Sequence, residues 1–320
     1  MADKFMTETV KVKIPGTTAN CGAGFDTLGI ALTIYNELEL TLSEGKSLNV
    51  VVEGIGAETL PVTEANIVVR TIRYFLNNLK KRHPDYFKQN ISKLTGVNLK
   101  LINNIPLSHG LGSSAAAIVG GLWATNKATG LKFTKDDILQ MANALEGHPD
   151  NVAPAIFGGI TVSILDYDDN YAVKATSLKV NCNSNISLVA VIPEFNLSTK
   201  RARKALPAEV PLKYAVFNIG RAAMFIGALS EGKTDYLKYA LDDKLHQPYR
   251  EKFITGMQDV FNAAMEEGAL GSVISGSGPT LIAFAENNFE AIGQKMVDAF
   301  AKYNIKAKYV VLNIDNEGVI

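Results

Sequence analysis

Residues 106–117 read Pro-Leu-Ser-His-Gly-Leu-Gly-Ser-Ser-Ala-Ala-Ala, and few folds accommodate such a stretch. It follows an alternating run, Val97-Asn98-Leu99-Lys100-Leu101-Ile102, and leads into Ala116, Ile118, Val119, Leu122 and Trp123, apolar at helical spacing. The pattern predicts a strand, a glycine-rich loop and a helix N-terminus. Gly110 and Gly112 let the backbone approach a ligand closely, and the unpaired N–H groups and dipole of the first helical turn favour an anion. Ser113 and Ser114 add hydroxyls for phosphate oxygens or a magnesium ion. The stretch reads as a phosphate cradle; an ordinary turn with a serine helix cap is the alternative.

Other glycine loops fit less well. The spacing of Gly110-Leu111-Gly112-Ser113-Ser114-Ala115 suits a dinucleotide fingerprint, but Leu131-Lys132-Phe133 stands where an acidic residue is needed. No lysine precedes the serines as in a Walker loop, and Gly112-Ser113-Ser114-Ala115-Ala116 is not a nucleophile elbow.

The 320 residues carry 32 Lys and Arg against 32 Asp and Glu. Such balance offers nothing to nucleic acid or an anionic membrane, so a small-molecule partner is expected. The length suggests two domains. Cys21 and Cys182 lack metal-ligand spacing, and Met1-Ala2-Asp3-Lys4 does not open a secretory signal. Both thiols therefore read as reduced, in a cytoplasm. His83, His109, His148 and His246 do not pair at metal-ligand spacing either; His109 lies in the glycine loop.

Residues 9–14 alternate and predict a strand stopped by Pro15-Gly16. The small, polar run over 17–29 resists regular structure, and Asn20 and Asp26 in it read as turn formers or as site residues. Strands are predicted over 31–42, 48–52, 160–165, 186–192 and 306–314, and helices over 66–82, 211–231, 234–245, 251–267 and 289–303. Thr134-Lys135-Asp136-Asp137 has the form of a capping box and opens a helix that delivers Glu146 at its end. Residues 198–204 concentrate positive charge and read as a solvated basic turn. Residues 271–284 predict two short strands around a glycine turn.

Pro106-x-x-x-Gly110-Leu111-Gly112-Ser113-Ser114-Ala115-Ala116 resembles the phosphate-binding motif of the GHMP kinases. The run Ala19-Asn20-Cys21-Gly22-Ala23-Gly24-Phe25-Asp26 resembles that superfamily's first motif, closest to the homoserine kinase version, and Gly276-Ser277-Gly278 resembles its third. The resemblance implies an α+β GHMP kinase fold, with a ribosomal-protein-S5-like ATP-binding domain over 1–158 and a ferredoxin-like layer over 159–320. It further implies ATP-dependent phosphorylation of the L-homoserine hydroxyl, giving O-phospho-L-homoserine for threonine synthesis. By the same resemblance Pro106, Leu107, Ser108, His109, Gly110, Leu111, Gly112, Ser113, Ser114, Ala115 and Ala116 hold the ATP phosphates. Glu146 and Ser113 hold Mg2+, and Asn66 lies near the base. Asn20, Asp26, Asn151, Thr199, Arg203 and Arg250 bind the amino acid, Asp26 facing its ammonium group and the arginines its carboxylate. Asn151, Glu146 and Ser113 are the catalytic candidates, with the proton lost directly to the γ-phosphate and Asp150 as the rival base. A homodimer is implied as well. Another small-alcohol kinase of this superfamily, or a ligand sensor on the same fold, are the alternatives.

Overall fold

The structure, a computed structural model, describes residues 7–167 and 173–320; Met1-Ala2-Asp3-Lys4 lies outside them. Strands β1 (Val10–Ala19), β2 (Leu28–Ser43), β3 (Leu48–Gly54), β4 (Gly96–Asn103), β5 (Ile160–Tyr167) and β6 (Val173–Val180) form one mixed sheet. Its order is β3-β4-β2-β5-β6, with β1 paired to β2; only β3 and β4 run parallel. Strands β7 (Ser187–Pro193), β8 (Gly271–Ile274), β9 (Leu281–Ala285) and β10 (Ala307–Leu312) form a second, antiparallel sheet in the order β10-β7-β9-β8. The class is α+β, as the motifs implied.

Strand β2 alternates Leu38, Leu40 and Leu42, all buried, with Glu37 and Glu39, which face outward. Against its apolar face pack the helices Ile67–Arg82, Ser113–Ala128, Lys135–Glu146 and Pro149–Phe157, with Phe75, Leu122 and Ile138 in the shared core. Asn66 caps the first of these, accepting from the Val68 N–H at 2.9 Å. Thr134 and Asp137 close the capping box at the third. β7 is apolar from Leu188 onward because both its faces are covered: Leu188, Ala190 and Ile192 join the first core, while Val189 and Val191 join a second. That second core includes Ile292 and Phe300 of the helix Phe289–Ala301, and Met257 and Val260 of the helix Met257–Glu266.

Four local readings change. β1 is not stopped by Pro15-Gly16 but runs on to Ala19, its register with β2 shifting at that point; a bulge absorbs a proline that a regular ladder would reject. The continuous helix over 251–267 breaks at Gly256, in the left-handed region at φ 80°, so only Met257–Glu266 is α-helical. The helix over 234–245 shortens to a 3₁₀ turn, Thr234–Tyr236, and Leu237–Ala240, because Asp243 instead accepts from the N–H groups of Leu245, His246 and Gln247. The basic turn over 198–204 is a short helix, Thr199–Lys204.

A division at 158/159 is a proposal drawn from sequence. Sheet membership changes later, between Val180 and Ser187, because β5 and β6 extend the first sheet. Among the described residues no helix is long and apolar enough to cross a membrane.

Candidate active site

The glycine loop lies between β4 and the helix Ser113–Ala128, with Ser108, Gly110 and Gly112 at φ of 58°, 78° and 72°. Gly112 itself is the helix N-cap. A side chain at Gly110 would run into the Ser275 carbonyl, and one at Gly112 into the Thr17 hydroxyl, so neither position admits a Cβ. Among the described residues no acceptor takes the N–H groups of residues 110–115; the first bonded amide is that of Ala116, to the Gly112 carbonyl at 2.9 Å. Six successive unclaimed donors running into a helix start are an arrangement that favours an anion. Leu111 and Ala115 are buried and anchor the loop, whereas Leu107 and Ala116 line a neighbouring cavity.

Two cavities meet at this loop, and Ser108, Ser113 and Ser114 line both. One, of about 340 Å³, is walled by apolar residues including Leu38, Leu60, Pro61, Leu101 and Ala117, and by Asn66. The other, of about 160 Å³, is polar and holds Asn20, Asp26, Glu146, Asn151, Arg203 and Arg250. Pro106, Thr199, Gly276 and Ser277 line it too.

Glu146 ends its helix beside the loop and accepts from the Ser114 hydroxyl at 2.9 Å. Burial raises the Glu146 pKa, opposed by the Ser114 hydrogen bond and the His148 charge. Carboxylate and hydroxyl oxygens at the edge of an anion site suit a hard divalent cation. Ser114, not Ser113, is the hydroxyl bonded to that carboxylate.

The turn after β1 puts Asn20, Cys21, Gly22 and Asp26 at positive φ. Asn20 braces it: its Nδ2 donates to the Gly276 carbonyl at 2.8 Å, and its Oδ1 accepts from the Asp26 N–H at 3.0 Å. Asp26 accepts from both terminal nitrogens of Arg203, each at 2.8 Å. That hydrogen bond raises the Arg203 pKa against the effect of burial.

Arg250, in the short helix Gln247–Arg250, is 2 % exposed and donates through Nη1 to the Gly276 carbonyl at 2.8 Å and to His246 Nδ1 at 3.1 Å. Its Nε is buried without a partner. Burial, and then the nearby Arg203 charge, push its pKa down to about 10. A buried cation with an unclaimed donor is costly unless an acceptor meets it.

Asn151 accepts at Oδ1 from the Thr17 hydroxyl at 2.8 Å. Asp150, 2 % exposed, accepts from His148 Nδ1 at 2.5 Å. Burial opposes the His148 imidazolium, but the Asp150 hydrogen bond and the charges of Asp150, Asp26 and Glu146 outweigh it and raise its pKa. Thr199 and Ser277 join hydroxyls at 3.1 Å across the cleft's outer side.

The structure also brings in residues the motifs did not single out for this site. Phe25 lies 5.4 Å from both the Arg203 and Arg250 guanidinium carbons and stacks on His246. His246 is fully buried; its Nε2 donates to the Gly22 carbonyl at 2.8 Å while its Nδ1 accepts from Arg250, which fixes the neutral Nε2–H tautomer. Its position four residues before Arg250, one helical turn away, is the signal in the sequence.

The GHMP kinases N terminal domain matches residues 66–159 and the GHMP kinases C terminal family matches 226–302. A homoserine kinase from Carboxydothermus hydrogenoformans is 42 % identical over 313 residues, covering 97 % of this chain and 96 % of that one. One from Persephonella marina is 38 % identical over 97 % of each. A solved homoserine kinase from Cytophaga hutchinsonii superposes with a TM-score of 0.84 at 30 % identity, covering 100 % and 99 % of the two chains. With both family domains matched and relatives of this similarity aligned over nearly the whole length, the chain belongs to the GHMP kinases, and these near-full-length relatives are homoserine kinases.

Proposed function

We propose that the protein is a homoserine kinase, transferring the γ-phosphoryl group of ATP to the side-chain hydroxyl of L-homoserine and releasing O-phospho-L-homoserine for threonine synthesis. The observation that carries this reading is the pair of cavities meeting at Ser108, Ser113 and Ser114, one apolar and one holding Asp26 with two arginines. The nucleoside occupies the apolar cavity, the phosphates lie on the open amides of residues 110–115, and a zwitterionic acceptor occupies the polar cavity. Asp26 faces the ammonium group, and Arg203 and Arg250 the carboxylate, which is also what the unclaimed Arg250 Nε favours. Asn20 and Phe25 hold that arrangement in shape.

Phosphoryl transfer depends on alignment and charge neutralisation more than on covalent help. Glu146 and Ser114, with Ser113 adjacent, would hold Mg2+, which neutralises phosphate charge when bound. The acceptor hydroxyl lies near Asn151, whose amide cannot take a proton at neutral pH. Asp150 is already engaged by His148. The proton therefore passes directly to the transferred phosphoryl group.

We further propose a homodimer through the helix Leu212–Ser230. Leu212, Val216 and Ile219, 79, 61 and 69 % exposed, form one apolar stripe along its first half. Two free thiols suit a reducing cytoplasm.

The test is ADP release from Mg-ATP with L-homoserine, mevalonate, galactose or no acceptor. Turnover with homoserine alone is expected. Preference for another acceptor would overturn the roles of Asp26, Arg203 and Arg250, and ATP binding without turnover on any acceptor would favour a ligand sensor.

A further inference from the structure

Two asparagines line the apolar cavity, each with one end of its amide unclaimed among the described residues. Strands β2 and β4 pair Leu38 with Leu101 and Glu37 with Ile102, and Asn36 and Asn103 are the next residues along. Side chains two apart in a strand share a face. Asn36 and Asn103 therefore stand beside Leu38 and Leu101, and all four line the cavity of about 340 Å³. Both asparagines are only 6 % exposed.

Neither amide can turn over. Asn36 Oδ1 accepts from the Asn104 N–H at 2.9 Å and the Ile105 N–H at 3.0 Å, which occupies both its lone pairs and leaves Nδ2 without an acceptor. Asn103 Nδ2 donates to the Ile55 carbonyl at 3.3 Å, and a flip would set oxygen against oxygen, so Oδ1 is the free end. Aspartate at position 36 would brace Asn104 and Ile105 as well as asparagine does; the donor is what the amide adds. Asn66, by contrast, engages both ends of its amide with main chain, donating to the Pro61 carbonyl at 2.8 Å and accepting from the Val68 N–H at 2.9 Å. Buried polar groups left open are costly unless a partner meets them.

We propose that Asn36 and Asn103 select the nucleotide base, Asn36 Nδ2 donating to a ring nitrogen and Asn103 Oδ1 accepting from the amino group beside it. Among the purines, adenine presents that acceptor and that donor side by side. Hypoxanthine and guanine carry a carbonyl oxygen in place of the amino group, so Asn103 Oδ1 would meet a second acceptor. With both amides pinned, the site cannot reverse its polarity to suit them. A site built to bond one group rejects the analogue that lacks it, because its own buried polar groups then go unpaired.

That a nucleoside occupies this cavity rests on the kinase reading; the choice of base does not follow from that reading, and calorimetric binding to the full chain measures it without turnover. The wild type is expected to bind Mg-ATP about 10- to 100-fold more tightly than Mg-ITP, which carries hypoxanthine, and to show a similar ratio in kcat/KM. Asn36→Asp keeps the acceptor for Asn104 and Ile105 and replaces the donor, so the ATP-to-ITP ratio should fall about tenfold. Taking the ratio cancels the effect of the added charge on the phosphates, which the two nucleotides share. Asn103→Leu removes the acceptor that discriminates amino group from carbonyl, and its ratio should fall likewise. Equal affinity of the wild type for ATP and ITP overturns the proposal and leaves the kinase reading standing, as does an unchanged ratio in either folded variant. Binding of neither nucleotide overturns both. Should Asn36→Asp fail to fold, the ratios in wild type and Asn103→Leu give the decision.

Discussion

Arg203 and Asp26 are each other's counter-ion, joined by two parallel hydrogen bonds of 2.8 Å between the short helix Thr199–Lys204 and the turn after β1. An amino acid carries both complementary charges, so it alone among simple acceptors can replace each partner of the opened pair. An acceptor with only a carboxylate would leave Asp26 uncompensated. Arg203→Lys keeps the charge and loses the planar fork. We expect KM for L-homoserine to rise about 10- to 100-fold, with KM for Mg-ATP nearly unchanged, in steady-state kinetics varying each substrate in turn.

Glu146→Gln removes the only carboxylate bonded to the loop serines among the described residues. kcat should fall about 100-fold or more, and the Mg2+ concentration needed for half-maximal rate should rise. A magnesium titration at fixed ATP checks this; an unchanged requirement would remove Glu146 from the metal site.

Asp150→Asn separates the two routes for the acceptor proton. Loss of a general base costs roughly 100- to 10,000-fold. With direct loss to the phosphoryl group, kcat should stay within about tenfold of wild type. Circular dichroism alongside the rate distinguishes a chemical loss from a folding one, because Asp150 also holds His148.

His246 is held by burial below its ordinary value of 6.5. Unfolding exposes it, so beneath 6.5 the unfolded chain binds a proton that the folded chain refuses. Its contribution to stability is complete above that value and declines as the pH falls through it. Between about pH 7 and about pH 5 the melting temperature of the wild type should therefore drop more than that of His246→Gln, measured by scanning calorimetry in matched buffers.

Ile219→Glu puts a charge into the exposed apolar stripe of Leu212, Val216 and Ile219. The variant should sediment as a monomer where the wild type sediments as a dimer, with its melting temperature little altered because Ile219 is already 69 % exposed. A monomeric wild type would dispose of the dimer.

What could be read from the sequence was whatever depends on neighbours along the chain. Thr134 and Asp137 are three residues apart and close their box as expected; residues 97–102 alternate and form β4. The glycine loop was legible for the same reason, since strand, turn and helix start are contiguous. Pro15-Gly16 misled because a stop and a bulge use the same residues, and only the partner strand decides between them. β6 was missed: its pattern of burial is weak, with Ala175 its one buried residue, and pairing with β5 defines it. In the site, Asp26 and Arg203 stood out by motif, but their direct bond, 177 residues apart, did not. Nor did the role of Phe25, which arises from a stack, or that of His246, whose spacing to Arg250 signals their contact but not its tautomer or its bond to Gly22.

One carbonyl oxygen, that of Gly276, accepts from Asn20 and from Arg250, while the preceding Ser275 holds Gly110. The polar cavity and the glycine loop are therefore moored to a single turn. Any shift of that turn is felt at both ends, and by reciprocity the factor by which nucleotide changes the affinity for homoserine must equal the factor by which homoserine changes the affinity for nucleotide. A two-substrate enzyme built this way has no independently adjustable halves: selection acting on either affinity drags the other with it.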